Sequence, residues 1–220
     1  MADPVLLDLY CGAGGAARGY ADAGFTVIGV DINPQPRYPY PFIQDNALTF
    51  LDWVLAGNSD QSFDAIHASP PCQRYSQMTR RHPGLAETYP DLIPPTRDRL
   101  KRIGLPYIIE NVKGAPLNDP VVLCGWMFGY QIYRHRLFES NFPLVAPPHR
   151  KHVTKASRSN HYTPGEFMSV AGHVSPTWKA REVMGIDWTT RDELAEAIPP
   201  YFTRYLGAQL MEYLSLRVAA

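Results

Sequence analysis

Short apolar runs that stop at glycine, proline or an acid alternate with stretches of helical period along the first half of the chain. Residues 5–10 form one such run, halted by the glycines at 12, 14 and 15, and predict a buried parallel strand. Residues 14–23 predict a helix closed by Gly24. A second strand is expected over 25–30, ending at Asp31, and a third over 42–45, followed by a helix over 48–55. A fourth, 63–67, runs into Ser69-Pro70-Pro71-Cys72. Residues 73–95 look like loop, 96–103 like helix, and 106–109 like a fifth strand that ends at Glu110-Asn111. Such alternation predicts an α/β fold with a doubly wound, mainly parallel sheet. Ligands bind such sheets beyond the carboxyl ends of the strands. Asp31, Asp45, Cys72 and Glu110 all fall at or near predicted strand ends, which makes them the first candidates for a site.

The pattern breaks over 141–177, where Pro, His, Ser, Thr and Arg replace any periodicity; this stretch is read as a small irregular insertion. Helical period returns at 179–184, 191–197 and 200–216. No apolar run approaches the length of a membrane span, and the start, Met1-Ala2-Asp3-Pro4, lacks the basic region of a secretory signal, so a cytoplasmic location is expected. The chain of 220 residues suits one domain with an appendage. Its 45% hydrophobic content supplies an ordinary core, which excludes a disordered chain. Basic and acidic residues balance at 21 each, so any nucleic-acid-binding surface must be local. The three cysteines, Cys11, Cys72 and Cys124, lie far apart with no Cys/His set at metal-ligand spacing, so neither a disulfide framework nor a metal is expected.

Four local patterns carry candidate chemistry. Asp8-Leu9-Tyr10-Cys11-Gly12-Ala13-Gly14-Gly15 sits between a strand and a helix, where glycine lets backbone approach a ligand. With Asp31 placed for ribose hydroxyls and Asp45-Asn46 for an adenine amine, it suits a nucleoside cofactor, nicotinamide or S-adenosylmethionine alike; a plain tight turn would need the same glycines. Pro70-Pro71-Cys72-Gln73 puts a thiol just past a strand, where it serves as a nucleophile if its pKa is depressed. Glu110-Asn111-Val112 offers a carboxyl for general acid work. Arg134-His135-Arg136 is read as extended, with both guanidiniums on one face to hold a carboxylate, phosphate or pyrimidine carbonyl.

Taken together these patterns resemble, in order, motifs of the cytosine-C5 DNA methyltransferases. Ala180-Arg181-Glu182-Val183-Met184-Gly185 is similar to the penultimate motif, and Ala197-Ile198-Pro199-Pro200 with Leu206-Gly207 to the last. The match spans about 5–140 and 178–214. The resemblance implies the Rossmann-like fold of the class I S-adenosylmethionine-dependent methyltransferases, with residues 1–140 and 178–220 as catalytic domain. It implies that Cys72 attacks C6 of a flipped-out cytosine, that Glu110 contacts N3 and the exocyclic amine, that Asn111 orients their loop, and that Arg136 with Arg134 holds O2. Asp8, Tyr10, Gly12, Ala13, Gly14, Gly15, Asp31, Ile32, Asp45, Asn46 and Pro70 would line the S-adenosylmethionine site. Residues 73–95 would be the mobile loop that closes over the base.

Tyr10, Ile132 and Glu196 stand where the family usually has Phe, Gln and Asn; the last puts a carboxylate beside the cofactor's tail. Only residues 141–177 stand where the family carries a full target-recognition domain, so they are read as a reduced DNA-contact segment. Candidate DNA contacts are Gln73, Ser76, Arg80 and Arg81 on the loop, and Arg150, Lys151, Lys155 and Arg158 with neighbouring histidines in the insertion. The expected enzyme acts as a monomer on double-stranded DNA in a bacterial or phage-infected cell. Its specificity is short or relaxed, or comes from a partner protein. Three other readings are an RNA (tRNA) cytosine methyltransferase, a catalytically silent binding homologue and a nicotinamide-dependent oxidoreductase.

Overall fold

The computed structural model describes residues 3–59, 61–158 and 160–218, with residues 77, 78 and 218 as backbone only. Seven strands form one sheet in the order β3-β2-β1-β4-β5-β7-β6. The five expected strands are β1 (Val5–Leu9), β2 (Thr26–Asp31), β3 (Phe42–Gln44), β4 (Ala65–Ala68) and β5 (Tyr107–Asn111), all parallel. Two more were not expected as strands. β6 (Val121–Leu123) and β7 (Arg136–Ser140) extend the sheet, with β7 running antiparallel between β5 and β6.

Side chains alternate across each strand, so the sheet feeds two cores. Leu6, Val27, Ala65 and Ile108 pack on one face with α1 (Gly15–Asp22) and the long α7 (Pro200–Val218). Leu7, Leu9, Val30, Ile66 and Ile109 pack on the other with α2 (Ala47–Leu55) and α4 (Ile93–Ile103). At the interface of α1 and α7, a Cβ on Gly19 would lie 2.1 Å from both the Pro200 carbonyl and Thr203 Oγ1, so the close approach of the two helices depends on that glycine.

The loop-like expectation for 73–95 is corrected in part: the segment contains a 3-10 turn (Gln73–Tyr75), the short α3 (Gln77–Arg80) and a second 3-10 turn (Ala86–Thr88). It is tied internally by Arg74, which donates to the carbonyls of Ala86 and Tyr89, and by Tyr75 hydroxyl on Asp91. The described residues of 141–177 contain only isolated bridges, such as Ala156 with Phe167. Met168, Val170 and Val174 from this segment share a third, smaller core with Ile132, α5 (Thr177–Met184) and α6 (Arg191–Glu196).

Candidate active site

The carboxyl ends of β1, β2, β4 and β5 open into one cleft of about 310 Å³. It brings the glycine loop together with Asp31, Cys72, Glu110 and Arg136, residues far apart in the chain. Its volume falls at the lower end of the range usual for cofactor and drug-sized ligands.

On one side of the cleft the backbone after β1 curls through left-handed conformations at Tyr10 (φ 57°), Gly12 (φ 49°) and Gly14 (φ 85°). The Gly12 amide donates to Asp31 Oδ2 at 3.1 Å and the Asn33 amide to Oδ1 at 2.9 Å, which fixes the carboxylate while leaving lone pairs for a ligand. Asp8 is fully buried and its Oδ1 has no hydrogen-bond partner; burial raises it to about 8. Tyr10, Ala13, Gly15, Ile32 and Pro70 also line this part, with Glu193 and Glu196 on the rim. A buried acceptor without a donor, one donor-fixed carboxylate and an apolar wall fit a nucleoside cofactor with a charged tail.

Two expected cofactor contacts stand beside the cleft, next to Asp31, rather than in its lining. Asp45 and Asn46 do not line the cleft: Asn46 caps α2 by accepting from the Leu48 and Thr49 amides, and Asp45 accepts from the Asn46 amide. An Asn ahead of an apolar run is a strong helix-start signal, and that role takes its side chain here. Gly14 is also outside the lining; a Cβ there would meet Pro39 at 2.8 Å, so its smallness serves packing.

On the other side stand the groups suited to chemistry. Cys72 is the residue before the 3-10 turn at Gln73–Tyr75 and is half-buried. Burial pushes its thiol above the ordinary value; Arg136 pulls it down and Glu110 pushes it up again. At neutral pH the resting site therefore holds a thiol, so the condition of a depressed pKa is not met without a bound substrate. Glu110 is 6% exposed. Burial raises its carboxyl, partly opposed by Arg136 and Arg134. Arg136 Nε lies 2.9 Å from Glu110 Oε1, close enough for an ion pair but off the line of a hydrogen bond, so Oε1 remains without a donor. Asn111 Nδ2 donates to the Pro70 carbonyl at 2.8 Å in a buried bond that joins the ends of β4 and β5.

The expectation that Arg134 and Arg136 share a face of one strand is corrected. β7 begins at Arg136, and Arg134, before it, is turned inward and only 8% exposed. Its guanidinium donates to the carbonyls of Val170 (2.6 Å), Ala195 (2.8 Å) and Ala197 (2.7 Å). Burial lowers it to about 9, still charged at neutral pH. Arg134 thus ties the irregular segment to the α6–α7 connection, while Arg136 alone reaches the cleft.

Sequence reasoning missed His67 and Ser69. His67 is buried on β4, with Nδ1 2.9 Å from Tyr20 hydroxyl and Nε2 2.8 Å from Ser69 Oγ, and Ser69 in turn reaches the Glu110 carboxyl. Burial lowers His67 to about 3, so the ring is neutral. A lone histidine in an apolar run gives no signal of such a chain.

Of the expected DNA contacts, Gln73 lines the cleft, Ser76 Oγ sits 2.8 Å from Thr79 Oγ1, and Arg81, Arg150, Lys151 and Arg158 are exposed. Arg80 donates to the Gly114 carbonyl at 2.7 Å and Lys155 pairs with Glu166 at 3.1 Å, so both are partly engaged within the protein. The histidines beside them behave differently. His149 and His152 turn toward His135 and Cys124, a gathering of four donor groups that the sequence reading had excluded because they lie far apart in the chain.

Four similarities to known proteins bear on this arrangement. Over 86 residues the chain is 29% identical to the type II methylase M.HgiDII of Herpetosiphon aurantiacus, an alignment covering 34% of this chain and 24% of that protein, so the chain spans about a quarter of that relative's length. A protein described as a DNA modification methyltransferase encoded within an E. coli prophage has the same fold, with a TM-score of 0.66 at 14% identity, covering 96% of this chain and 99% of the other. The S. pombe Dnmt2 methyltransferase aligns at a TM-score of 0.60 and 14% identity, with 96% and 99% covered, so the two chains share a Rossmann-like fold. The C-5 cytosine-specific DNA methylase model matches residues 5–120, the stretch that supplies the glycine loop, Asp31, Cys72 and Glu110, and the chain therefore belongs to that family.

Proposed function

We propose that the protein transfers a methyl group from S-adenosylmethionine to C5 of cytosine in DNA, through a covalent bond between Cys72 and C6 of a base turned out of the duplex. One observation carries the reading: Cys72, Glu110 and Arg136 share a single cleft with the glycine loop and Asp31. A base inside a duplex is out of reach of a half-buried thiol, so the base must leave the stack.

S-Adenosylmethionine, when bound, supplies an electrophilic methyl group on a sulfonium. Asp8, Tyr10, Gly12, Asp31 and Ile32 would hold it. The remaining work falls to this chain's residues. Cys72 gives its proton to solvent and its sulfur bonds to C6. Glu110, whose hold on a proton burial strengthens, protonates N3 as Oε1 accepts from the exocyclic amine. The electron pair released at C5 would take the methyl group as its bond to the sulfonium sulfur breaks, leaving S-adenosylhomocysteine. Loss of the C5 proton to solvent restores the double bond, breaks the C6–S bond, and returns the N3 proton to Glu110. Arg136 holds O2 and keeps a positive charge beside the sulfur, which favours thiolate both as attacking and as leaving group. The insertion at 141–177 is a reduced target-recognition segment, so the recognised sequence is short or relaxed.

The test is nucleoside mass spectrometry of plasmid DNA from cells that lack their own cytosine methylation, expressing the protein or its Cys72→Ala variant. 5-Methylcytosine is expected only with intact Cys72. Its absence from DNA in both samples, or its appearance in RNA alone, overturns the reading.

A further inference from the structure

The edge of the sheet farthest from β3 carries a cluster that methyl transfer does not use. Cys124 follows β6, His135 immediately precedes β7, and His149 and His152 come from the irregular segment. One donor atom from each lies within 4.8 Å of all the others. His149 Nε2 is 3.1 Å from His152 Nε2 and 3.3 Å from His135 Nε2, and Cys124 Sγ is 3.5 Å from His152 Nε2. Bond lengths of about 2.05 Å to nitrogen and about 2.3 Å to sulfur set the edges of a tetrahedral zinc site at about 3.3 Å for N to N and about 3.6 Å for N to S. Three of the six separations lie within about 0.2 Å of those edges, and the other three are within 4.8 Å. Hydrogen bonding alone accounts for them poorly, because a neutral imidazole carries one N–H and His149 Nε2 faces two other ring nitrogens at once.

We propose that Cys124, His135, His149 and His152 form a zinc site. Thiolate and imidazole ligands select zinc over the hard cations, and four protein ligands leave no position open for water, so the metal's role is structural. The ligands are held in place by their surroundings. Cys124 Sγ accepts the Met127 amide at the 3-10 turn Gly125–Phe128. The His152 ring stacks on Tyr133 at 3.7 Å, and Tyr133 stacks on Phe167 at 4.3 Å and donates its hydroxyl to the Thr154 carbonyl. Such outer support is what ordered metal ligands require. The metal would clip the irregular segment to the sheet edge. His135 adjoins Arg136, so the same clip would fix the start of the strand that delivers the cleft's arginine. It would also hold Arg150 and Lys151, both exposed between two ligands, out toward solvent.

The protein, freed of any histidine tag, is assayed by elemental analysis after gel filtration, then stripped with a chelator and titrated with cobalt(II). One zinc per chain is expected. Cobalt should give the intense visible bands of a tetrahedral site with a thiolate charge-transfer band, and Cys124→Ser should lose that band. His149 is exposed, so His149→Ala should retain its far-ultraviolet circular dichroism while its metal content falls at least tenfold. Folded wild-type protein with well under one zinc per chain and no tetrahedral cobalt spectrum overturns the proposal. So does a cobalt spectrum lacking the thiolate band, or metal retained in both variants. Should a variant fail to fold, the wild-type spectrum decides. None of these readouts depends on methylation, so the site and the proposed reaction stand or fall separately.

Discussion

Glu110 and Cys72 have opposite requirements in the proposed reaction, since one must carry a proton and the other must lose it. Burial raises both. Between the two pKa values the fraction of enzyme in the active form stays constant as pH rises, because gain of thiolate offsets loss of the acid. Below that window the rate falls with the thiolate, and above it with the acid. Glu110→Gln removes one half of the balance. Its single-turnover rate is expected to be about 100- to 10,000-fold lower and to climb with pH up to the pKa of Cys72, where the parent is flat. A variant that keeps the flat profile would show that Glu110 is not the acid. The two arginines separate on stability. Arg134→Met strips three carbonyls of their donor and should cost about 3 kcal/mol, roughly 6–12 °C in Tm by thermal unfolding. Arg136→Lys should slow methylation with a much smaller change in Tm, because it loses a planar fork at the cleft and no carbonyl network. Equal Tm losses would place both in the same structural role.

At the scale of elements, β1 to β5 were legible because each is an apolar run ended by glycine, proline or an acid. β6 and β7 were not. β6 has three residues, two of them only partly covered, and no periodicity can be read over so short a span. That omission also misplaced Arg134, since strand alternation was extended to a residue that precedes the strand. α4 was shortened for a related reason: Pro94 and Pro95 look like a boundary, yet both fit a first turn, where amide donors have no partner to lose. That Cys72, Glu110 and Arg136 would meet in one cleft was legible through the order of their motifs. Their buried support, the hydrogen-bonded chain from Tyr20 through His67 to Ser69, depends on tertiary neighbours that no local pattern announces. The contact of α1 with α7 yields its own prediction. Gly19→Ala forces the helices apart and should cost about 1–3 kcal/mol. Because Ala197 and Ile198 just before α7 line the cleft, the same change should weaken S-adenosylmethionine in a binding titration. Unchanged affinity would mean that the helix pair does not shape that wall.

For the whole molecule, a chain of zero formal charge has to draw DNA through local features. The exposed Arg150 and Lys151 project from the irregular segment, and Arg81 from the loop beyond Cys72. Replacing Arg150 and Lys151 with Ala should weaken binding by a similar factor on any DNA sequence and reduce the salt dependence of the affinity by about two phosphate contacts. A loss confined to one sequence would instead make these residues base readers. The same assignment explains why the insertion was legible only as a departure from pattern: its order comes from a minor core around Met168 and from side chains that converge across the fold.

The buried bond from Asn111 to the Pro70 carbonyl has a mechanical consequence. It adds a buried side-chain link between the ends of β4 and β5, which restrains Cys72 and Glu110 relative to one another. Any closing movement over a base must then pivot downstream of Cys72. The loop beyond it is accordingly a part that protein engineers can exchange to alter substrate choice, while the geometry of bond-making stays anchored in the sheet.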